Sequence, residues 1–460
     1  MRYIIALFLL LITSAAHAAC TETSAGIWEP DTLSHSDVQA CVTAADPGDE
    51  VRLPAGSGTW TSTLAVAKSL KIVGAGIDVT TITTTYKTTY NTGSAVTLTL
   101  SGSDYIEVSN MTIVGPTING DATDGVIHIR ASGAIAGNQS FRIHDLKLSG
   151  LMDRGIKIAS GGLYGVIDNC EFVNRTGLYS VQGVAPWGLA GDAWASPTNV
   201  VFGTGDFVFV EDCFFNYDSP QDGALDAYSG AKYVFRYNQV RNTPLGHHGK
   251  DTGPLHSTLA FEVYNNNFYR EAYGSNISRM FMHRGGSGLV WGNTWDSGYN
   301  NLLDAVYYCA TDDPTRCHWS PICTAYPCDQ APGRLMVDGV QVTFATYQWN
   351  NTRGGAAIAW NVGDFLTVGV DLVNGSYSYT PYTYPHPLRG ESTPDPVCSP
   401  SRRDLCDDTN CATTGEGYWY SGTCNATPES TPGTRSGAPR FGTGKPPAFS
   451  GKVPVLVGAD

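Results

Sequence analysis

Residues 260–268 read AFEVYNNNF, an apolar, strand-like run that leads into asparagines and closes on an aromatic residue. The same pattern recurs: an aliphatic or aromatic run, then Asn or Asp, then Asn or Cys, one further residue and an apolar one. The copies are 105–113 (YIEVSNMTI), 141–148 (FRIHDLKL), 164–172 (YGVIDNCEF), 207–215 (FVFVEDCFF), 233–240 (YVFRYNQV), 260–268 and 288–295 (GLVWGNTW), with a further candidate at 346–353. Aligned positions lie between 24 residues (Leu146 to Cys170) and 43 residues (Cys170 to Cys213) apart. A β-rich repeat of this length predicts a solenoid whose extra length lies in loops.

Each repeat alternates as a β-strand does, and no amphipathic helical pattern lies between repeats. The sequence therefore predicts an all-β protein built from coils of parallel strands. Equivalent residues of successive coils would stack at the strand spacing of roughly 4.8 Å. Asn238, Asn266 and Asn293, with Asn351 in the further copy, would then form an internal asparagine ladder that satisfies buried turn groups. The alternative is that asparagine is simply common in turns.

The N-terminus predicts export. Met1 and Arg2 precede an apolar run at 4–12 (IIALFLLLI), and residues 16–18 (AHA) form an A-x-A cleavage signal. This pattern is typical of a secretory signal peptide, here residues 1–18, and is too short for a stable transmembrane span. Cys20 suggests a lipoprotein alternative, although the residues before it lack a lipobox leucine. We expect a secreted protein, extracellular or periplasmic.

Composition agrees with export. Twelve cysteines suit an oxidising compartment. The formal net charge is −14, and an acidic chain is a poor nucleic-acid binder because phosphate contact needs a basic face. No segment after the leader has the ~18 apolar residues needed to span a bilayer. We therefore expect no nucleic-acid partner and no membrane span.

The segment after the leader predicts a cap for the solenoid. A short helix over residues 36–45 would cover the open end, which otherwise exposes unpaired strand edges. The turn at 47–49 (PGD) would lead into a first strand over residues 50–53.

Several phrases resemble a known superfamily. AADPGDEVRLPAG (residues 44–56) and KSLKIVGAG (68–76) resemble the cap and first coils of right-handed parallel β-helix proteins of the pectin-lyase-like superfamily. PAGSGTWTSTL (54–64), HRGGSGLVWGNTW (283–295) and YTPYTYPHPL (379–388) resemble a secreted bacterial and phage-associated branch of it. The likeness covers about residues 36–390.

This resemblance implies a right-handed, single-stranded parallel β-helix with an N-terminal capping helix and small disulfide-stapled insertions. It does not imply one activity, because the superfamily contains lyases, hydrolases, esterases and binding proteins. The chain also lacks the Arg-x-Pro-x-x-Arg phrase of pectate lyases and the motif set of polygalacturonases. No catalytic residue of the superfamily is therefore carried over to this chain.

Composition shifts divide the chain. After the leader, we expect one β-helix domain over residues 19–390, interrupted by a cysteine-rich loop insertion at about 296–345. A small disulfide-rich module would follow at 391–424, because so short a segment needs cross-links to be stable. The Pro- and Gly-rich residues 425–460 would form an extended or disordered tail.

The cysteines predict cross-links in each part. Cys20 and Cys41 flank the N-terminal cap and are expected to pair, which would tie down the terminus. Cys170 and Cys213 occupy ladder positions in adjacent coils, where a disulfide or two buried thiols would fit; we favour the disulfide. The two clusters would pair internally, with three pairings open in each set of four: Cys309, Cys317, Cys323 and Cys328, and Cys398, Cys406, Cys411 and Cys424.

The candidate site follows from the repeat register. The segments 216–230, 241–258 and 269–286 leave successive coils at the same corner and should lie side by side. The candidate catalytic residues are His247, His248, Lys250, Asp251, Arg279, His283 and Arg284. The candidate substrate-binding residues are Trp187, Trp194, Asp222 and Asp226, since aromatic rings stack on sugars. The bland alternatives are that these aspartates form turns and that residues 283–286 only make a tight corner.

Two chemistries would use such a set on an extracellular or cell-surface polysaccharide. In β-elimination, Ca²⁺ or Arg neutralises a uronate carboxylate while a base removes the C5 proton; Asp218, Asp222 and Asp226 could supply the calcium ligands. In glycoside hydrolysis, paired carboxylates among Asp222, Asp226 and Asp251 would act as acid and base. The abundance of Arg and His favours the lyase. The alternative to both is a non-catalytic glycan-binding or attachment protein, such as an adhesin or tailspike shaft.

Overall fold

The computed structural model describes residues 19–84, 93–115, 125–136, 139–150, 154–174, 182–186, 188, 200–218, 223–249, 257–270, 279–300, 303–305, 331–337, 340–362 and 366–390. It has one α-helix, α1 (His35–Ala44), in these ranges, and a turn of 3-10 helix at Pro387–Arg389. The predicted all-β class is confirmed, and the helix begins and ends one residue earlier than predicted.

Within the same ranges, thirty-four strands account for the rest of the regular structure. The first half comprises β1 (Cys20–Ser24), β2 (Ile27–Pro30), β3 (Glu50–Arg52), β4 (Gly56–Trp60), β5 (Leu64–Val66), β6 (Leu70–Val73), β7 (Thr80–Thr84), β8 (Val96–Gly102), β9 (Ile106–Val114), β10 (Ile127–Ile135), β11 (Phe141–Ser149), β12 (Arg154–Ile158), β13 (Gly165–Asp168), β14 (Glu171–Asn174), β15 (Gln182–Pro186), β16 (Val208–Glu211) and β17 (Phe214–Tyr217). The second half comprises β18 (Gly223–Ala227), β19 (Lys232–Arg236), β20 (Gln239–Arg241), β21 (Leu245–His247), β22 (Ala260–Tyr264), β23 (Asn267–Tyr269), β24 (Phe281–His283), β25 (Ser287–Trp291), β26 (Thr294–Trp295), β27 (Leu303–Ala305), β28 (Arg334–Val337), β29 (Val340–Thr343), β30 (Thr346–Trp349), β31 (Thr352–Arg353), β32 (Ala356–Ala357), β33 (Trp360–Val362) and β34 (Leu372–Asn374).

Most strands pair in parallel, in register, with the equivalent strand of the next repeat. One stack runs β13, β16, β19, β22, β25 and β30, a second runs β14, β17, β20, β23, β26 and β31, and the long strand β11 feeds both. A third stack is a separate sheet of ten strands: β5, β8, β10, β12, β15, β18, β21, β24, β27 and β33. The chain visits the three stacks in the same order on each circuit, for example β19, β20 and β21. Long parallel sheets connected in this way are compatible with a parallel β-helix.

A left-handed backbone turn joins the first and second stacks in every repeat. The residue before each ladder position has a positive φ, as in Asn169 (52°), Asp212 (54°) and Asn265 (56°), and Gly292 takes the same role at 65°. Asn, Asp and Gly tolerate this conformation best, because their side chains are short or absent. This requirement explains the Asn or Asp that opens the repeated pair.

The asparagine ladder is present. Asn238, Asn266, Asn293 and Asn351 are buried, and each of the first three side chains donates to the amide oxygen of the next, at 2.9–3.0 Å. Each amide nitrogen also bonds a strand carbonyl, such as that of Phe235 for Asn266 at 2.8 Å. The ladder thereby satisfies backbone groups that the tight turn leaves without partners.

The core lies between the stacks and is filled by inward residues that repeat in register. Phe172 stacks on Phe215, and Phe268 stacks on Trp295, with ring centroids 4.7 and 4.8 Å apart. Small residues of the opposite stack make room for these rings. A Cβ at Gly183 would come within 2.5 Å of the Phe215 ring, so this position of β15 requires glycine.

The N-terminal end is closed as the sequence predicts. Helix α1 packs against β1 to β5, with Val38 and Val42 buried in the core. Ser34 caps the helix, because its hydroxyl accepts from the Asp37 amide at 3.2 Å. The Cys20–Cys41 disulfide is confirmed and ties the first strand to the helix.

The predicted Cys170–Cys213 disulfide is wrong. Both residues are buried free thiols, and the Cys213 thiol lies against the carbonyls of Ile167 and Glu211. In-register neighbours of a parallel stack point the same way, so their Cβ atoms stay about one strand spacing, roughly 4.8 Å, apart. A disulfide needs Cβ atoms closer, at about 3.8 Å. The alternative of two buried thiols is the correct one.

The chain ends its described course as an extended segment, residues 375–390, which we name the strap. From the last coil it runs back over the outer face of the first stack. Arg236 of β19 donates to the carbonyls of Tyr382 and Thr383 at 2.7 and 2.8 Å, and Arg142 of β11 donates to the carbonyl of Arg389. The strap therefore crosses several coils and covers apolar residues on this face.

A buried charge network anchors the far end of the strap. Arg389 is ion-paired with Asp168, Glu211 and Asp212, and Arg236 pairs with Glu211 at 2.6 Å. Burial raises the pKa of Asp212 to about 6, although Arg389 opposes the shift. The pKa of Glu211 is lowered because Arg236 and Arg389 outweigh its burial. These charges are retained in the interior because they neutralise one another.

Four parts of the predicted organisation lie outside the described residues: the leader, the cluster of Cys309, Cys317, Cys323 and Cys328, the module at 391–424 with Cys398, Cys406, Cys411 and Cys424, and the tail at 425–460. Within the described ranges, no helix has the length and apolar character that a membrane crossing requires.

Candidate functional site

The candidate site lies on the outer face of the ten-stranded sheet. Within β18, Leu225 and Ala227 point into the core, so Asp226 between them points outward. The strand register places Asp226 beside Ala185 of β15 on one side and Gly246 of β21 on the other. These small neighbours leave space on both sides of the carboxylate.

Asp226 binds two rings at once. Its Oδ1 lies 2.7 Å from Nδ1 of His248, and its Oδ2 accepts from the Tyr228 hydroxyl at 2.8 Å. The His248 and Tyr228 rings stack, with centroids 3.9 Å apart. The Arg154 guanidinium lies 5.9 Å from the Tyr228 ring centroid, at the outer limit of a cation–π contact.

Backbone hydrogen bonds fix both rings relative to the sheet. The His248 amide donates to the carbonyl of Ala227 at 2.9 Å, and the His248 carbonyl accepts from Thr258 at 3.1 Å. The Tyr228 amide donates to the carbonyl of Pro186 at 3.0 Å. Three neighbouring coils therefore hold the His248 and Tyr228 rings in place beside Asp226.

This geometry selects a tautomer of His248. An ionised carboxylate only accepts hydrogen bonds, so Nδ1 carries the proton that faces Asp226. The lone pair of the neutral ring is then on Nε2, on the opposite side. About one fifth of the His248 side chain is exposed. The ring can accept a proton from a substrate, and Asp226 stabilises the imidazolium that forms.

Arg279 lies on the same face, towards the C-terminal coils. The outward row continues from Gly246 to Met282 of β24 and Asp304 of β27. Arg279 contacts the Met282 sulfur, and its Nε lies 3.9 Å from the Asp304 carboxylate. The structure thus brings Arg279 to the coil next to that of His248.

His247 and His283 are not on this face. Both point into the core, where His247 Nδ1 lies 3.0 Å from the Tyr233 hydroxyl and its Nε2 lies 2.9 Å from His283. His283 Nε2 in turn lies 3.0 Å from the Thr346 hydroxyl. Burial lowers the pKa of both imidazoles well below 6.5, with Arg284 adding to the effect at His247. They form a neutral internal ladder and have no path to a glycan.

The remaining predicted residues are scattered or lie outside the described ranges. Asp218 pairs with Arg241 at 2.7 Å, on the second stack, and Arg284 is buried. Trp187, Trp194, Asp222, Lys250 and Asp251 fall outside the described residues. In the part of the chain that the structure describes, no three His, Cys, Asp or Glu side chains converge as a metal site would require.

Comparison with known proteins gives little more. No family model matches the chain, and no curated protein matches it. The crystal structure of an alginate lyase from Paenibacillus sp. str. FPU-7 matches 72% of this chain and 95% of its own length, at 15% identity and a TM-score of 0.36. A likeness of this TM-score carries no argument for the fold or the activity of this chain.

The sequence did not indicate Tyr228, Arg154 or Asp304. Tyr228 lies two residues after Asp226, the spacing that places alternate strand residues on one face, so this signal could have found it. Arg154 and Asp304 meet the face only through the register of the ten-stranded sheet, which the repeated phrases do not encode.

Proposed function

We propose that the chain is a right-handed parallel β-helix of the pectin-lyase-like superfamily. The support is the repeated three-strand circuit and the asparagine ladder, together with the resemblance of residues 44–56 and 68–76 to the first coils of such proteins. We further propose that residues 1–18 are a Sec signal peptide and that the protein is secreted; the Cys20–Cys41 disulfide fits an oxidising compartment.

We propose that the protein binds an extracellular uronic-acid-containing polysaccharide on the outer face of the ten-stranded sheet and cleaves it by β-elimination. The observation that carries this proposal is the Asp226–His248 pair, with His248 oriented by a buried carboxylate and stacked on Tyr228. Stacking on Tyr228 holds the partly exposed ring in place, and the hydrogen bond to Asp226 gives it the orientation that a general base needs.

In this mechanism, His248 Nε2 removes the C5 proton of a uronate. The C5–H and C4–O bonds break, a C4–C5 double bond forms, His248 holds the C5 proton as an imidazolium, and the leaving oxygen takes up a proton from water. A cation must neutralise the uronate carboxylate, because charge delocalises into it as the proton leaves. Described cations on this face include Arg279, Arg154 and Lys157, which lies beside Ala185 in the outward row. Lys250, Asp251, Trp187 and Trp194 stay proposals for further contacts with the sugar.

Calcium fits the described acids poorly. Asp218 is ion-paired with Arg241, and both carboxylate oxygens of Asp226 face Tyr228 and His248. A calcium ion needs several oxygens together, so Asp218, Asp222 and Asp226 would form a site only if these contacts were given up. We therefore assign no step to the metal.

Hydrolysis is the weaker catalytic alternative. Asp226 and Asp304 are the described carboxylates of the outward row, and three strand spacings of ~4.8 Å separate them by roughly 14 Å. Inverting glycosidases hold their two carboxyl groups about 6.5–9.5 Å apart, and retaining enzymes hold them closer. The described pair is too far apart for either.

A non-catalytic attachment protein, such as an adhesin or tailspike shaft, is the second candidate. The observation that favours it is the burial of His247 and His283 in the core, which leaves His248 as the one described histidine of the predicted set on the face. Such a protein would bind the same glycan without cleaving it.

The test is an assay of the purified protein on a panel of uronic-acid polymers, with and without Ca²⁺ or a chelator. Elimination gives the ultraviolet absorbance of an unsaturated uronide, and hydrolysis gives reducing ends without it. His248→Ala should abolish turnover and leave glycan binding largely intact, because a base acts in the transition state. His35→Ala, at the N-terminal cap, is the matched control and should retain full activity. Binding without turnover by the wild type on every polymer would favour the attachment protein.

A further inference from the structure

Glu262 is buried beneath the strap. It lies on the outer face of β22, fully covered, between Val234 of β19 and Leu289 of β25 in the strand register. Its carboxyl Oε1 accepts from the amide of Gly203 at 2.7 Å, in the segment that precedes β16. The Tyr379 hydroxyl of the strap also hydrogen-bonds this carboxyl.

Among the residues that the structure describes, no cation is bonded to Glu262. Its Oε2 is buried and has no hydrogen-bond partner among the described residues. The nearest positive charge is Arg236, whose guanidinium bonds Glu211, the Tyr264 hydroxyl and the strap carbonyls of Tyr382 and Thr383. An ionised carboxylate in this position would be a buried charge without an ion pair, which is costly.

The other groups around Glu262 are neutral. Trp291 of β25 donates from its indole to the Tyr379 hydroxyl at 2.9 Å, and the hydroxyl of Tyr264, on the same strand β22 as Glu262, accepts from Arg236. Phe202 packs on the same apolar cluster. The chain Trp291–Tyr379–Glu262–Gly203 thus joins two strands, the strap and the 200–207 segment through one carboxyl group.

We propose that Glu262 is a proton-operated latch: its protonated carboxyl holds the Tyr379 end of the strap on the β-sheet, and its ionisation loosens that end. The Arg389 end is held separately by the buried ion pairs with Asp168, Glu211 and Asp212. The strap would therefore open from the Tyr379 side while it stays attached at the other.

The direction of the pH effect follows from the shift in the pKa of Glu262. Burial raises the pKa of Glu262 to about 7 from its ordinary value of 4.5, although Gly203, Tyr379 and Arg236 oppose the shift. A raised carboxyl pKa favours the docked form at low pH, and this advantage is lost as pH rises from about 4.5 to about 7. One pKa unit corresponds to a factor of ten in an equilibrium constant, so opening should increase about tenfold per pH unit in this window and level off above it.

The experiment measures amide hydrogen exchange of the full chain at pH 5, 6, 7 and 8, corrected for intrinsic exchange rates. The reporting peptide covers residues 200–204, whose Gly203 amide donates to Glu262. In the wild type, its protection should fall about 40-fold from pH 5 to pH 7 and by less than about twofold more to pH 8. Glu262→Gln, which imitates the protonated carboxyl, should keep high protection at every pH. Glu29→Gln, an acid far from the strap, should retain the wild-type profile.

Asp212 gives the Arg389 end of the strap a pH dependence of its own, and Glu262→Gln leaves that dependence unchanged. The difference in amide protection between wild type and Glu262→Gln therefore reports on Glu262 alone. A flat wild-type profile, or the same slope in Glu262→Gln, would overturn the proposal. If the variant does not fold, ¹³C NMR of glutamate-labelled wild type decides: one carboxyl must titrate near pH 7, together with the loss of protection at 200–204. Neither result depends on whether the protein cleaves a polysaccharide.

Discussion

Asp226 lies directly beneath two stacked rings: one of its oxygens faces His248 Nδ1 at 2.7 Å and the other accepts from Tyr228 at 2.8 Å. The carboxylate therefore sets the tautomer of His248, the orientation of its ring and the charge that would stabilise an imidazolium. Under the proposed elimination it is a positioning residue, because it acts on substrate only through His248.

Asp226→Asn should lower kcat roughly 100-fold or more, the size of a general acid–base contribution, and change KM little. The amide keeps the shape of the carboxylate but not the charge that stabilises the protonated base. Tyr228→Phe keeps the stacked ring and should cost less. The measurement is the rate of unsaturated-uronide formation against pH. An unchanged kcat in Asp226→Asn would mean that the Asp226–His248 pair takes no part in catalysis.

Asn266→Ala should destabilise the protein by on the order of 1–3 kcal/mol, because it leaves buried groups of the neighbouring coils unsatisfied. Asn266 accepts from Asn238 at 3.0 Å and donates to Asn293 and to the carbonyl of Phe235. Asn267→Ala, one residue later and half-buried, is the control and should cost less. Urea unfolding measures both. Equal losses would mean that the ladder contributes no more than any polar surface residue.

Stability should fall at alkaline pH because of His144. Burial disfavours its charged form, but hydrogen bonds to Asp145 and Glu107 outweigh burial and raise its pKa to about 9. A raised histidine pKa stabilises the fold fully below the ordinary value of 6.5, and this contribution, up to roughly 3 kcal/mol, is lost as pH rises through 9. His144→Gln should remove the part of the pH dependence of unfolding between pH 6.5 and 9. An unchanged dependence would contradict the assignment.

The hydrogen bond between His144 and Glu107 also predicts a loss of stability at acid pH. Its hydrogen bond to Glu107 is the largest cause that lowers the pKa of this carboxyl, to about 2. Such a group stabilises the fold above its ordinary pKa of 4.5, and the contribution is lost as pH falls towards 2. The same series of unfolding measurements, extended to pH 2, tests this loss of stability.

Arg389→Met should destabilise the protein by about 3–5 kcal/mol, because it leaves Asp168, Glu211 and Asp212 with too few buried cations. The strap should then become sensitive to proteases. Arg52→Met is the matched control, since Arg52 forms a half-exposed pair with Glu50 and should cost no more than about 1 kcal/mol. Chemical unfolding and limited proteolysis measure the two. A loss no larger than that of Arg52→Met would mean that the network does not stabilise the docked strap.

The sequence by itself determined the repeat. A turn that needs a left-handed residue favours Asn, Asp or Gly, although Tyr237 takes this conformation in one repeat. The buried position beside it favours Asn in the later coils, because the amide satisfies backbone groups, so residues such as Asn265 and Asn266 recur visibly. The same local rules predicted helix α1, because a cap residue such as Ser34 and the apolar positions Val38 and Val42 lie close together in the chain. The Cys20–Cys41 pair followed from its place around that helix.

Only the tertiary structure decided which predicted site residues meet. His247 and His248 are adjacent in the chain, but strand alternation and the end of β21 send one into the core and the other onto the surface beside Asp226. Cys170 and Cys213 occupy equivalent positions, yet parallel side chains keep their sulfurs apart as thiols. The strap carries no periodic pattern, and its partners lie more than 100 residues away, as Arg236 and Thr383 do. Contacts of this kind depend on how loops of unequal length bring the stacks into register, which no local pattern records.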